Sequence, residues 1–219
     1  MTLPENYILE RKNVKHARIR VSENLSVRVL VPENFDSTDI QNLIKKKQIW
    51  IDKNLNKFKG KTEKIKLHDN QILLFGNKYT YFYRAEFHNK VVVNQEHKTI
   101  QSKTNLLDKD EQLKWYKRYA KRHITKRLTE IAKQHKFKYN KVFIRDQRTK
   151  WGNCSTEKNL SFNWRLIKTP HFVIDYLIFH ELVHTKTMNH THKFWTELRS
   201  FIPVYQEAVK WLDKYGNSL

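Results

Sequence analysis

The chain has 219 residues, enough for one large domain or two small ones, and its 43 Lys+Arg against 22 Asp+Glu give a formal net charge of +21. No apolar run approaches the roughly 18 residues of a membrane helix, and Met1 to Asn6 show no basic stretch followed by an apolar one, so neither a membrane span nor a secretory leader is expected. A single cysteine, Cys154, excludes internal disulfides and fits a reducing cytoplasm.

The charge has two readings. An excess of this size favours a polyanionic partner, DNA or RNA first. It also fits a composition rich in Lys, Asn and Ile, in which surface lysine carries no function.

The first third reads as β-rich with one helix. Residues 7–11 start a strand, and 17–21 and 26–31 alternate apolar and polar as half-buried strands do. Ser22, Glu23 and Asn24 form the turn between these two. After Pro32, Asp36 or Ser37 caps a helix whose apolar face is Ile40, Leu43, Ile44, Ile51 and Leu55. Lys45, Lys46, Lys47 and Lys53 sit on its other faces, and Trp50 is expected to anchor it to the sheet. Strand cores follow at 65–67, 72–75, 79–83 and 91–93, with Gly76 and Asn77 at a turn. His68, His88 and His97 are scattered through this block and read as surface residues.

A polar stretch at 102–110 reads as a hinge, dividing a β-rich N-terminal region (1–105) from a C-terminal domain (106–219). A long helix is expected over 111–137, where Leu113, Tyr116, Ala120, Ile124, Leu128 and Ile131 recur at three and four. Its other side carries Lys114, Lys117, Arg118, Lys121, Arg122 and Arg127. A solvated face is the ordinary explanation of such a run, and the same run is the best candidate for contacts to nucleic-acid phosphates. Next comes a hairpin-like unit, with a strand at 142–145, a turn at 156–159 and an alternating return strand at 160–166. Thr169 is expected to cap a helix with Pro170 in its first turn, and that helix runs to about Thr187. A further helix carries Phe194, Trp195 and Leu198. Beyond an interruption at 203–205, Ala208, Val209, Trp211 and Leu212 end the apolar pattern.

The chemistry concentrates in the helix after Pro170. His180, Glu181 and His184 form an HExxH pattern, with His190 six residues on. Histidines four apart share one helix face, so both imidazoles reach a single metal ion. Zinc in such a site lowers the pKa of a bound water to about 7, and Glu181, beside the first ligand, can take its proton. A catalytic zinc needs three protein ligands and an open position, and His190 is the candidate third ligand. The preceding run, 172–179, is nearly continuously apolar, so polar side chains emerging from it need partners, which a metal supplies. The metzincin pattern has the same ligand spacing but a glycine where this chain has Thr187, and its methionine turn is absent, since the last methionine is Met188. Cys154 is either a further ligand or a small residue packed in the core.

These residues resemble the YgjP-like metallopeptidase family, bacterial and archaeal zinc hydrolases related to the SprT and WLM (Wss-type) proteases. The resemblance rests on the run from Arg145 to Ser155 and on 163–166, Ile174-Asp175-Tyr176, the HExxH segment and the run from Asn189 to Trp195. It extends more loosely over nearly the whole chain. It implies His180, His184 and His190 as ligands of one Zn2+ and Glu181 as catalytic base. His190 is preferred to His192 because the family's third histidine follows an asparagine and precedes the Phe-Trp pair by three residues. The chain departs from the family's usual pattern at Lys150 and Asn153, where Arg and Ser are common, and at Thr191, commonly Ser. Trp151 either lines the substrate cleft or packs under the helix, and Arg165 keeps both roles open.

The expectation is therefore an α/β (α+β) protein, a β-rich N-terminal region followed by a zincin-like domain of the minigluzincin type. Its expected activity is zinc-dependent hydrolysis of a protein or peptide substrate, with DNA-associated proteins as one possible class. An extended substrate would pair with the strand at 160–166 by β-addition. The rival readings are a nucleic-acid-binding protein with a structural or inactive zinc site, and a metal-dependent hydrolase of non-peptide amides.

Overall fold

Alternation builds the first sheet. In a computed structural model, which describes residues 4–22, 25–59, 64–87 and 91–219, β1 (Tyr7–Lys12), β2 (Arg18–Val21) and β3 (Val27–Pro32) pair in the order β1-β3-β2. β3 runs parallel to β1 and antiparallel to β2. Val27, Val29 and Val31 point inward and are buried, while Arg28 points out. Glu23 and Asn24 of the expected β2–β3 turn lie outside the described residues, as do residues 1–3 and His88.

The helix α1 (Ser37–Lys59) closes this core. Asp36 is its cap, its Oδ1 accepting from the Thr38 backbone N–H at 2.8 Å. Ile40, Ile51 and Leu55 pack on the three valines. Trp50 does not anchor the helix. It lies about 100° around the helix from Ile51, and is 45% exposed. These elements form one compact unit, Met1–Lys64 with Asp213–Ser218; Ile65–Leu212 with Leu219 form the other.

In the second unit, β4 (Gln71–Leu74), β5 (Asn77–Tyr83), β6 (Val92–Asn94) and β7 (Thr99–Ser102) pair in the order β4-β5-β7-β6. Gly76, at φ +73°, makes the β4–β5 turn, and a Cβ there would sit 2.6 Å from the Pro170 ring. The strand expected at 65–67 does not form. The stretch 102–110 is pinned rather than free: Leu106 and Ser102 are buried, and the Tyr81 hydroxyl donates to the Thr104 carbonyl at 2.6 Å.

Asp108 then caps α2 (Lys109–Gln134), accepting from the Asp110 and Glu111 backbone N–H groups, so the helix starts two residues before the expected Glu111. β8 (Val142–Arg145), β9 (Gly152–Cys154) and β10 (Leu160–Asn163) make a second sheet of this unit in the order β8-β10-β9. The return strand ends at Asn163, not at 166. The Asn163 side chain accepts from the Arg165 N–H at 3.1 Å and turns the chain into a 3-10 helix, Trp164–Lys168.

Thr169 is not a helix cap either; its hydroxyl donates back to the Leu166 carbonyl at 2.9 Å. The helix α3 (His171–His184) begins after Pro170 without a side-chain cap and is buried on most sides, as its apolar run requires. α4 (His192–Phe201) and α5 (Tyr205–Tyr215) follow. The protein is thus α+β, β-rich in its N-terminal part, with five α-helices among the described residues. None of these is long and apolar enough to cross a membrane.

Candidate metal centre

The α-helical period puts His180 and His184 one turn apart on α3. Beyond His184 the backbone N–H groups of Lys186 and Thr187 both bond to the Val183 carbonyl, closing the helix and sending the chain back. That return brings His190 over the same face. The three Nε2 atoms form a near-equilateral triangle, with sides of 3.2 Å (His180–His184), 3.1 Å (His184–His190) and 3.0 Å (His180–His190). Ligands placed tetrahedrally at ~2.0–2.1 Å from one ion would stand about 3.3 Å apart, so the triangle fits a single metal ion.

Protonation agrees with ligation. Burial, then the neighbouring imidazoles, push His180 down to about 3, and burial first also lowers His184. Both rings are therefore neutral near pH 7, with lone pairs to give. The Nδ1–H of His184 donates to the Thr187 carbonyl at 3.1 Å, which leaves Nε2 as the lone-pair nitrogen. Phe194, fully buried, lies beneath all three rings at 5.0, 4.5 and 4.7 Å between centroids. Trp195 stacks on His190, and Tyr205 stacks on Trp195. The triangle is thus held by an aromatic bed that α4 and α5 supply.

Glu181 is 3% exposed beside this triangle. Burial pushes its carboxyl up to about 8, against the opposing charge of Lys150. Its Oε2 is buried with no hydrogen-bond partner. Its other oxygen lies against Gly152 of β9. A Cβ on Gly152 would meet Oε1 at 2.6 Å and Cγ at 2.9 Å, so only glycine admits this carboxylate. The Trp-Gly segment divides its work accordingly: Trp151 packs on the core, and Gly152 makes room for Glu181.

Cys154, two residues on, shares the face of Gly152. It does not belong to the histidine cluster, and burial first, then Glu181, push its thiol up to about 11. Arg165 is taken up by Asp146 and by the Trp164 ring, 4.6 Å below its guanidinium.

The basic residues of α2 separate into two groups. Arg127 forks onto Asp175 of α3 at 2.7 and 2.8 Å, and Lys114 pairs with Glu111 at 2.7 Å. Arg122 lies over the Tyr119 ring at 5.2 Å. Lys117, Arg118 and Lys121 instead converge on one cavity with Arg145. Sequence patterning alone singled out neither Phe194 beneath the histidines nor Gly152 against Glu181. A glycine inside a strand pattern is the available signal for such close approach.

No curated protein and no solved structure matches the chain. The family model described as YgjP-like, metallopeptidase domain, matches residues 15–215, a span that takes in the histidine triangle, Glu181 and Gly152. The chain belongs to the YgjP-like metallopeptidase domain family.

Proposed function

We propose that the protein is a zinc-dependent peptidase, with His180, His184 and His190 holding one Zn2+ and Glu181 as the proton carrier. The observation that carries this reading is the Nε2 triangle beside a buried carboxylate whose Oε2 has no partner. Zinc held by three imidazoles with a fourth position open supplies a Lewis acid for a carbonyl oxygen and acidifies water to a pKa near 7. Glu181 Oε2 takes the proton of the attacking water as its oxygen bonds to the carbonyl carbon. The same oxygen returns that proton to the amine nitrogen as the C–N bond breaks. Burial raises the proton affinity of Glu181 above that of an exposed carboxylate, and Gly152 leaves the room that the carboxylate occupies.

The substrate strand belongs on β9. β10 has ladder partners on both sides, so the expected addition to 160–166 is closed to it. β9 pairs on one side only among the described residues, and it runs beside Glu181. An extended peptide added there exchanges main-chain hydrogen bonds with a free edge.

The structural-zinc alternative is disfavoured by the donor set. Among the described residues no fourth protein ligand joins the three histidines, whereas closed structural sites have four. A non-peptide amide would use the same residues. Comparing unfolded protein and peptides with small amides as substrates, before and after metal removal and zinc return, tests the reading. Peptide cleavage that follows zinc supports it, and cleavage of small amides alone overturns it.

A further inference from the structure

Two cavities on the second unit meet at Arg145 and lie apart from the histidine triangle. The first, about 290 Å³, opens between α2, the end of β8 and the 3-10 helix. Lys117, Arg118 and Lys121 line it from α2, and Arg145 faces them. The one carboxylate of this cavity, Asp146, pairs with Arg165 and with Lys117 at 3.4 Å, so Arg118, Lys121 and Arg145 carry the excess positive charge. Like charges gathered around a concavity repel each other unless an anion joins them. Lys117 and Lys121 stand one helical turn apart, ~6 Å along the axis, and the guanidiniums offer forks for phosphate oxygens.

The second cavity, about 550 Å³, lies on the outward face of the β8-β10-β9 sheet. Its floor follows from register: Phe143 stands opposite Ser161, and Ser161 opposite Asn153. Phe143 is an aromatic ring 38% exposed on an otherwise polar face. The Arg145 guanidinium lies over it, 5.1 Å from the centroid. Ring and guanidinium together make a flat cationic surface, with amide and hydroxyl groups of Asn153, Asn159 and Ser161 around it. One carboxylate also lines this cavity, Glu157, which accepts from the Asn159 amide at 2.9 Å.

We propose that these two cavities, which share Arg145, bind single-stranded nucleic acid, with backbone phosphates among Lys117, Arg118, Lys121 and Arg145 and a base stacked on Phe143. Aromatic platforms beside basic grooves are how unpaired bases are held. A duplex keeps its base faces inside the stack and gives the Phe143 ring nothing to do. A lysine-rich composition does not account for the site either. In the whole chain 31 of the 43 basic residues are lysine, yet arginine supplies Arg118, Arg145 and the neighbouring Arg165. The site shares no residue with the metal centre, so its failure leaves the peptidase reading standing.

The test measures binding of fluorescent 12-mers, single-stranded DNA, single-stranded RNA and duplex DNA, to the full chain over a range of salt. The parent should bind a single strand of one or both sugars more tightly than the duplex, with a log–log salt slope of about −2 to −3 for ~3–4 phosphates. Phe143→Ala should weaken single-strand binding roughly tenfold, without changing the slope or the duplex affinity. Phe143→Leu, which keeps apolar bulk but no ring, should do nearly the same and serves if Phe143→Ala fails to fold. Arg118→Ala with Lys121→Ala should flatten the slope by about 1.4. Absence of single-strand binding at low salt overturns the proposal. So does equal duplex binding with no loss in either Phe143 variant, which would make the surface a general polyanion contact.

Discussion

Gly152 on β9 lies so close to Glu181 on α3 that a methyl group at its Cα would stand 2.6 Å from the carboxylate oxygen. One residue without a side chain therefore sets where the buried carboxylate rests relative to the three imidazoles. Gly152→Ala should displace Glu181 while leaving the histidines in place. Hydrolysis should fall by ~10²-fold, as misplacement of a reacting group by about 1 Å does. Metal content should stay at the parent level and stability should drop by ~1–3 kcal/mol from overpacking. Parental activity in a folded Gly152→Ala protein would remove Gly152 from the account.

Cys154 shares the strand and face of Gly152 but lies outside the histidine cluster. Its thiol, pushed up to about 11, stays protonated at neutral pH and is a poor ligand. Cys154→Ser should keep metal content and hydrolysis near the parent's. Loss of metal in that variant would make it a fourth ligand and close the open coordination position.

Arg127 forks onto Asp175 and so ties α2 to the helix that carries His180 and His184. Arg127→Ala should lower stability by ~1–2 kcal/mol, the scale of a charge-assisted pair discounted for partial exposure. It should leave the salt slope of nucleic-acid binding unchanged. A flattened slope with parental unfolding would return Arg127 to the phosphate-contacting set.

His123 is held down to about 4 by burial, then by His171, which burial also lowers. Above pH ~6.5 neither the folded nor the unfolded chain carries these protons. As pH falls from about 6.5 to about 4, the unfolded chain takes up the His123 proton and the folded chain does not, so stability drops through that window, and His171 acts in the same direction. For His123, which is partly exposed to solvent, screening reduces the loss to about 1–2 kcal/mol. Burial also lowers His180 and His184, so the informative quantity is the difference between parent and His123→Leu. Urea midpoints at pH 7 and at about pH 4.5 should separate less in the variant. Equal separation would show that His123 titrates normally in the folded chain.

Periodicity carried much of the fold into view. Strict alternation marks β3, and apolar recurrence at three and four marks α2, because one buried face imposes a period on the side chains that make it. The spacing of His180, His184 and His190 is likewise local enough to read directly. What escaped depends on neighbours distant in sequence. β7 carries a single buried aliphatic, Ile100, and exists because β5 and β6 pair with it. Trp50 carries no mark that it faces outward rather than Ile51. Thr169 precedes Pro170 as a cap would, yet the preceding 3-10 helix claims its hydroxyl. Gly152 acquires its role only when β9 is laid against α3.

On the proposed reading, three imidazoles hold one zinc while Glu181 moves the proton without holding metal. Elemental analysis of the parent, of Ala variants at His180, His184 and His190, and of Glu181→Gln, paired with peptide hydrolysis, tests it most directly. The parent chain should hold about one zinc, each histidine variant should lose it, and Glu181→Gln should keep full zinc with hydrolysis lost. Full zinc in all three folded histidine variants, or undiminished hydrolysis by Glu181→Gln, would contradict it.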